Sequence, residues 1–203
     1  MSLSQINSLE YVELSVCKIK FLPSQISLMR NIKGISFSAN ELTSLPAGLS
    51  SCSNLTFVSL AMNSQIDWSD AVSVLGKIPN LTSLDISNEG FTEFPEAVAQ
   101  LKDLTELDLA NNNLTALPDD FYEMDKITSL NLANNLSLNY EDVFSHLGNF
   151  KNLEKNINNS IDNYFNKNQL ALRNLERNLL SPQKFLENSQ QKFQNFSEKI
   201  EYS

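Results

Sequence analysis

The sequence predicts an α/β solenoid, in which short parallel strands of successive repeats stack into one sheet. Three observations predict it. A pattern of apolar residues recurs six times over residues 9–152, an asparagine stands at one fixed place in most copies, and the order of repeat lengths itself recurs. A single copy is too small to bury its own apolar residues, so the copies are expected to stack on one another.

The repeating pattern is L-x-x-L-x-L-x-x-N-x-L-x-x-L-P. The apolar residues at positions 4 and 6 are spaced as on the buried side of a short strand, and position 1 is expected to point inward as well. The asparagine at position 9 follows the strand, and its amide can bond backbone groups of the neighbouring turn. This slot holds Asn40, Asn63, Asn112 and Asn135, with Cys17 in the first copy and Glu89 in the fourth, where we expect a local irregularity.

The copies cover residues 9–31, 32–54, 55–80, 81–103, 104–126 and 127–152, after a lead-in of residues 1–8 and before a tail of residues 153–203. Their lengths run 23, 23, 26 and then 23, 23, 26 again, which indicates that residues 9–80 and 81–152 are duplicates of one 72-residue block. The short copies share a proline. The long copies replace it with a predicted helix capped by Asp67 or Asn139, and we expect Gly76 and Gly148 to adopt the left-handed conformation that ends a helix.

The tail lacks the repeat pattern and is predicted to be an α-helical C-terminal extension. Ser160 can begin one helix, and Ser181-Pro182 is a typical start for a second. Two interpretations remain open. The helices cap the exposed edge of the last repeat, as any solenoid end requires, or they form an arm that binds a partner or a second copy.

Residues 9–152 resemble the leucine-rich-repeat family, in the 23-residue L-P-x-x-L form found in bacterial proteins and in intracellular Ras-group-related proteins. The resemblance implies a horseshoe with the parallel sheet on its concave face and a non-enzymatic function in binding protein partners, as in a bacterial effector or a signalling scaffold. Ubiquitin-ligase effectors with such repeats need a catalytic cysteine in a separate domain. Here Cys17 and Cys52 both fall within repeats, in slots that we expect to be small and buried.

The charge of the chain restricts its partners. The formal net charge is −9, and a phosphate backbone requires a basic surface, so we expect no nucleic acid. The block 9–80 has five basic and five acidic residues, whereas the block 81–152 has three basic and thirteen acidic residues, which favours a basic protein partner.

The sequence also indicates what the chain lacks and where it acts. We expect no membrane span and no signal peptide, because no long apolar run occurs. With one histidine and scattered glycines, no metal or cofactor is expected. A monomer is favoured, located in the cytoplasm or, for an effector, in a host cell.

The candidate binding site is the concave face. Its predicted residues are Tyr11, Glu13, Phe57, Met62, Asp85, Glu106, Asp108 and Asn131. The first block contributes aromatic side chains and the second contributes carboxylates. Asp85 and Asp108 are expected on adjacent strands about 5 Å apart, where like charges repel by roughly 0.8 kcal/mol in a water-like dielectric.

Overall fold

The structure, a computed structural model, describes residues 8–146. Over this range one strand from each repeat joins a six-stranded sheet in chain order, and every neighbouring pair is parallel. The strands are β1 (Tyr11–Glu13), β2 (Gly34–Ser36), β3 (Phe57–Ser59), β4 (Ser83–Asp85), β5 (Glu106–Asp108) and β6 (Ser129–Asn131). The predicted solenoid fold with its parallel sheet is confirmed. Within the described range, no helix has the length and apolar composition needed to cross a membrane.

Equivalent positions of successive repeats pair across the sheet. Position 4 forms an inward row in which Ile35, Val58, Leu84 and Leu107 are almost completely buried. Positions 1 and 6 lie on either side of that row and are buried as well in the second to sixth repeats, as with Leu104 and Leu109. The core is therefore one continuous apolar layer that every repeat shares with its neighbours.

The segments that follow the strands differ between short and long repeats. In the short repeats they are 3₁₀ helices, which the sequence did not predict: Ser24–Leu28, Ala47–Ser51, Glu96–Gln100 and Asp119–Glu123. The proline of each short repeat directly precedes its 3₁₀ helix, in an extended conformation. The long repeats contain the predicted α-helices, α1 (Trp68–Leu75) and α2 (Tyr140–His146).

The predicted helix caps are confirmed at the N-terminal ends and wrong at Gly76. The Asp67 side chain accepts hydrogen bonds from the amides of Ser69 and Asp70, and Asn139 accepts one from Asp142. Gly76 has a φ of −65°, in the right-handed region. A Cβ there would lie 3.2 Å from the Val72 carbonyl and 3.4 Å from Leu101 of the next repeat, so a larger residue would fit tightly.

The asparagines at position 9 join each repeat to the one before it. The Oδ1 atom of Asn40 accepts the amides of Cys17 and Ile19, both at 3.0 Å. Its Nδ2 atom donates to the carbonyl of Leu14 at 2.7 Å and to that of Phe37 at 2.8 Å. Asn63, Asn112 and Asn135 repeat this arrangement in their own turns. We call this series of buried amides the asparagine ladder.

The irregularity that we expected around Glu89 is confined to one residue. Glu89 is buried in the ladder slot, and the register of β4 with β3 and β5 continues unbroken. Asn88 has the same positive φ as its equivalents in other repeats. Gly90 has a φ of 77°, a left-handed conformation that its equivalent in the first repeat, Lys18, also adopts with a φ of 55°. The Glu89 side chain therefore fits into the ladder slot without a break in the sheet.

The two cysteines differ in burial. Cys52 is fully buried, as predicted, and its thiol lies 3.4 Å from the carbonyl oxygen of Ile26. The prediction is wrong for Cys17, which is exposed. It belongs to the first repeat, and no described strand precedes β1, so nothing in the described range covers that side of the repeat.

Several predictions fall on residues outside the described range. These are the first seven residues of the lead-in, Gly148 with the end of the sixth repeat, and the helical extension over residues 153–203. The repeat boundaries also remain predictions.

We predict that Leu109→Ala lowers the free energy of unfolding by about 2–5 kcal/mol, because it leaves a cavity in the core. The Leu109 side chain is fully buried, whereas that of Leu136 is 65% exposed. Leu136→Ala is therefore the matched control, and it should change stability by less than about 1 kcal/mol. Urea unfolding monitored by circular dichroism measures both. Equal losses would mean that the two side chains do not differ in burial.

Candidate functional site

The face of the sheet opposite the core carries two rows of side chains, which together we call the open face. The position-3 row is Tyr11, Gly34, Phe57, Ser83, Glu106 and Ser129, and the position-5 row is Glu13, Ser36, Ser59, Asp85, Asp108 and Asn131. Seven of the eight predicted site residues lie in these rows. The eighth, Met62, lies in the turn after β3.

Tyr11 and Phe57 lie on either side of Gly34 and cover it. A Cβ built on Gly34 would lie 2.8 Å from Cδ1 of Tyr11 and 3.3 Å from Cδ1 of Phe57, so only glycine leaves room for both rings as they stand. Gly34 is consequently buried, although it lies on the open face. Tyr11 remains 66% exposed. We call these two rings the aromatic pair.

The residue at position 8 has a left-handed backbone in every repeat. The residues are Val16, Ala39, Met62, Asn88, Asn111 and Asn134, with φ between 54° and 61°. Asparagine tolerates this conformation, whereas a β-branched or long apolar residue seldom adopts it. Val16 and Met62 nevertheless occupy it, after the two strands of the aromatic pair, and they are 78% and 54% exposed. The first block therefore presents apolar side chains where the second presents amides.

A chain of hydroxyl groups leads from the first block to Asp85. Ser59 donates to Oδ2 of Asp85 at 2.7 Å, so its single proton is used there. The hydroxyl of Ser38 lies 2.8 Å from that of Ser59, and the hydroxyl of Ser36 lies 3.1 Å from that of Ser38. With the last proton committed to the carboxylate, each serine donates toward Asp85. Apart from the small size of these residues, no pattern in the sequence indicated this series of hydrogen-bonded hydroxyl groups.

Asp85 and Asp108 are register partners on adjacent strands, as expected. Both carboxylates are held by the turn that follows their own strand. Asp85 accepts the amide of Ser87 at 3.0 Å, and Asp108 accepts that of Ala110 at 2.8 Å. The Nδ2 atom of Asn131 also donates to Asp108, at 2.9 Å.

Burial changes the pKa of Asp108 more than repulsion by Asp85 does. Desolvation is the largest influence and raises the pKa of Asp108 above its ordinary value. The donors Ala110 and Asn131 oppose that rise, and the charge of Asp85 adds a smaller one. Asp108 is therefore a half-buried structural acceptor. The repulsion by Asp85 that we expected is the last of the four influences on this pKa.

The remaining predicted residues are spread across the sheet. Glu106 is exposed and accepts a hydrogen bond from Ser83 at 2.8 Å. Glu13 lies on β1 and Asn131 on β6, at opposite edges of the described sheet. The eight residues thus form an aromatic region and an acidic region rather than a single site. Among the described residues, no group of three or more histidine, cysteine or acidic side chains is placed to hold a metal ion.

The comparisons with known proteins agree with this geometry. Residues 79–136 match the family model described as leucine rich repeat. The structure of the Toll–Spatzle complex from Drosophila matches with a TM-score of 0.58 and 23% identity, over 66% of this chain and 18% of that chain. The complex of TLR13 with ssRNA13 matches with a TM-score of 0.52 and 24% identity, over 65% of this chain and 21% of that chain.

The leucine-rich-repeat domain of the type III effector XopL matches with a TM-score of 0.50 and 19% identity, over 74% of this chain and 60% of that chain. This chain therefore spans less than two thirds of each of these structures. At such identities the similarity shows the fold. No curated protein sequence matches the chain.

Asp108→Ala should lower the free energy of unfolding by about 1–3 kcal/mol, because the amide of Ala110 and the side chain of Asn131 lose a charged acceptor. Glu106→Ala is the control, since it removes the same charge from an exposed position on the same strand. Its cost should stay below about 0.5 kcal/mol. Urea unfolding of both variants measures the difference. A gain in stability for Asp108→Ala would mean that repulsion from Asp85 outweighs both hydrogen bonds.

Proposed function

We propose that this chain, whose residues 79–136 match the leucine-rich-repeat family model, binds a protein partner through the open face of its sheet, without catalysing a reaction. Leucine-rich-repeat solenoids generally serve as protein-interaction modules, and the features of this face agree with that role. The observation that carries the proposal is the aromatic pair. Its two rings project from strands of a hydrogen-bonded sheet, and Tyr11 is largely exposed to solvent.

The aromatic pair has the properties of a binding anchor. Aromatic side chains with large exposed surfaces contribute more to protein interfaces than most other residues do. The rings of Tyr11 and Phe57 are held over Gly34, and the strands beneath them are fixed by the ladder. A partner would therefore meet a surface that is already ordered and would lose little conformational freedom in these residues.

The acidic region favours a basic partner. The two rows of the open face contain four carboxylates and no lysine or arginine. Three of the four, Asp85, Glu106 and Asp108, lie on the adjacent strands β4 and β5. The same charge disfavours the phosphate backbone of a nucleic acid, so we propose a protein in preference to RNA or DNA.

A second candidate function is structural, with the chain associating through its tail. The apolar residues at helical spacing in residues 160–203 favour it. Under the main proposal the chain acts as a monomer and the open face is the contact surface. Under the alternative, the contact surface is the C-terminal extension.

For the location, we propose the cytoplasm or, for an effector, a host cell. Both cysteines are free, which agrees with a reducing compartment. A fusion to a reporter that is active only inside host cells separates the two locations, because only translocation would give a signal.

The binding proposal can be tested by comparing two triple variants in affinity capture from lysate with quantitative mass spectrometry. The first is Asp85→Asn, Glu106→Gln and Asp108→Asn, on the open face. The control is Asp119→Asn, Asp120→Asn and Glu123→Gln, which makes the same charge change on the 3₁₀ helix after β5. A partner of the open face should be lost with the first variant and kept with the second. Equal capture by both would contradict binding at the acidic region.

Kinetics with the captured protein would separate the two regions of the face. The open-face charge variant should associate more slowly and lose most of its salt dependence, because long-range attraction acts on the association rate. Tyr11→Ala or Phe57→Ala should mainly speed dissociation. A chain ending at residue 152 should still bind the partner under the main proposal and should fail to bind it under the alternative. Comparing the mass of this shorter chain in solution with that of the full chain shows whether the tail mediates self-association.

A further inference from the structure

Glu89 is the one acidic residue in the asparagine ladder. It stands at position 9 of the fourth repeat, where the second block begins, and it is only 6% exposed. The amides on either side of it in the ladder are Asn63 and Asn112. A charged carboxylate in such a place would be costly to desolvate unless both oxygens were well bonded.

Only one of the two carboxyl oxygens of Glu89 has a hydrogen-bond partner. Oε1 accepts the backbone amide of Asn63 at 2.8 Å, as a ladder oxygen should. The backbone amide of Glu89 itself donates to Oδ1 of Asn112 at 3.0 Å. Oε2 is buried and has no hydrogen-bond partner.

In the other ladder residues the second polar atom is a donor. Nδ2 of Asn63, for example, donates to the carbonyl oxygens of Phe37 at 2.9 Å and Leu60 at 2.8 Å. Both residues stand at position 6, Phe37 in the preceding repeat and Leu60 in the same repeat as Asn63. The corresponding carbonyls for the fourth repeat are those of Leu60 and Ile86. A carboxylate has no proton to donate there, whereas a carboxylic acid has one.

We propose that Glu89 is a neutral carboxylic acid in the folded protein, with Oε2–H donating to a position-6 carbonyl in place of a ladder amide. The ladder then contains one carboxyl group, at the joint between the two blocks. Protonated, Glu89 completes the ladder. Ionised, it leaves a buried negative charge with one unpaired oxygen, and the joint is weakened. This inference is independent of what the open face binds.

The charges around Glu89 agree with this assignment. Burial raises the pKa of Glu89 to about 7, the Asn63 amide opposes that rise, and the charge of Asp85 on β4 adds to it. From the neighbouring repeats, the ladder side chains of Asn63 and Asn112 are neutral. Asp108 of β5 is engaged by Ala110 and Asn131, and Asp67 before α1 is engaged by Ser69 and Asp70.

The direction of the pH dependence follows from the raised pKa. The unfolded chain binds this proton with an ordinary pKa of 4.5, and the folded chain binds it with a pKa of about 7. The stabilisation is complete below about pH 4.5 and is lost as the pH rises through about 7. Between these values unfolding releases one proton, so the unfolding equilibrium constant rises about tenfold per pH unit from this group.

The experiment compares urea unfolding of the wild type, Glu89→Gln and Glu93→Gln from pH 4.5 to pH 8. Glutamine keeps the acceptor and supplies a permanent donor, so it should match the wild type near pH 5. Glu89→Gln should then have an unfolding constant about a hundredfold lower than the wild type at pH 8. Glu93→Gln removes a carboxyl group from an exposed position four residues away and should follow the wild-type profile. Parallel profiles for the wild type and Glu89→Gln would overturn the proposal.

A second measurement does not depend on any variant folding. The side-chain carboxyl ¹³C shift of Glu89 in the wild-type protein, followed by NMR over the same pH range, should show a midpoint near 7. A midpoint near 4.5 would mean that Glu89 is ionised in the folded state at neutral pH, which would overturn the proposal.

Discussion

The structure depends on the buried amide that joins the end of each strand to the repeat before it. The turn after each strand exposes backbone amides and carbonyls that no strand or helix satisfies, and they lie next to the apolar core. The side chain of Asn40 accepts hydrogen bonds from two amides and donates to the carbonyls of Leu14 and Phe37. It therefore bridges the first and second repeats. The same bonds that satisfy the backbone also set the register, so that position 4 of one repeat packs beside position 4 of the next. Without that register the apolar rows would not coincide.

This constraint explains why the two blocks could diverge on the open face. Positions 3 and 5 point away from the core, and their identities leave the ladder and the inward rows unchanged. The first block carries the aromatic pair and a chain of serines, whereas the second carries carboxylates and amides. Even so, position 5 is not free. Asp85, Asp108 and Asn131 each accept the amide two residues ahead, so the side chains that give the second block its character also close its turns.

Glu89 shows how a ladder can carry a titratable group without losing its geometry. Its carbon chain is one methylene longer than that of asparagine, yet β4 keeps its register with both neighbours. Oε1 accepts the backbone amide of Asn63, just as Asn40 accepts the amide of Cys17 and Asn112 accepts that of Glu89. The longer side chain therefore keeps the ladder acceptor, and only its second oxygen differs from the amide of an asparagine. Because the slot is closed to water, the acid is the one side chain of the ladder whose hydrogen bonding depends on pH.

The repeats, the parallel sheet, the inward rows and the N-terminal helix caps could all be predicted from the amino-acid sequence. Each of these follows from spacing or from a local bond, as with Leu109 at position 6 or Asp67 before α1. Four features could not be predicted in this way: the closure of Tyr11 and Phe57 over Gly34, the direction of the serine chain, the exposure of Cys17 and the right-handed backbone of Gly76. These features depend on which residues of a neighbouring repeat lie opposite, and in the serine chain the residues that meet are 21 and 26 positions apart in the sequence. A one-dimensional pattern identifies the slot that a residue occupies, but the contacts across the slot are set when the repeats stack.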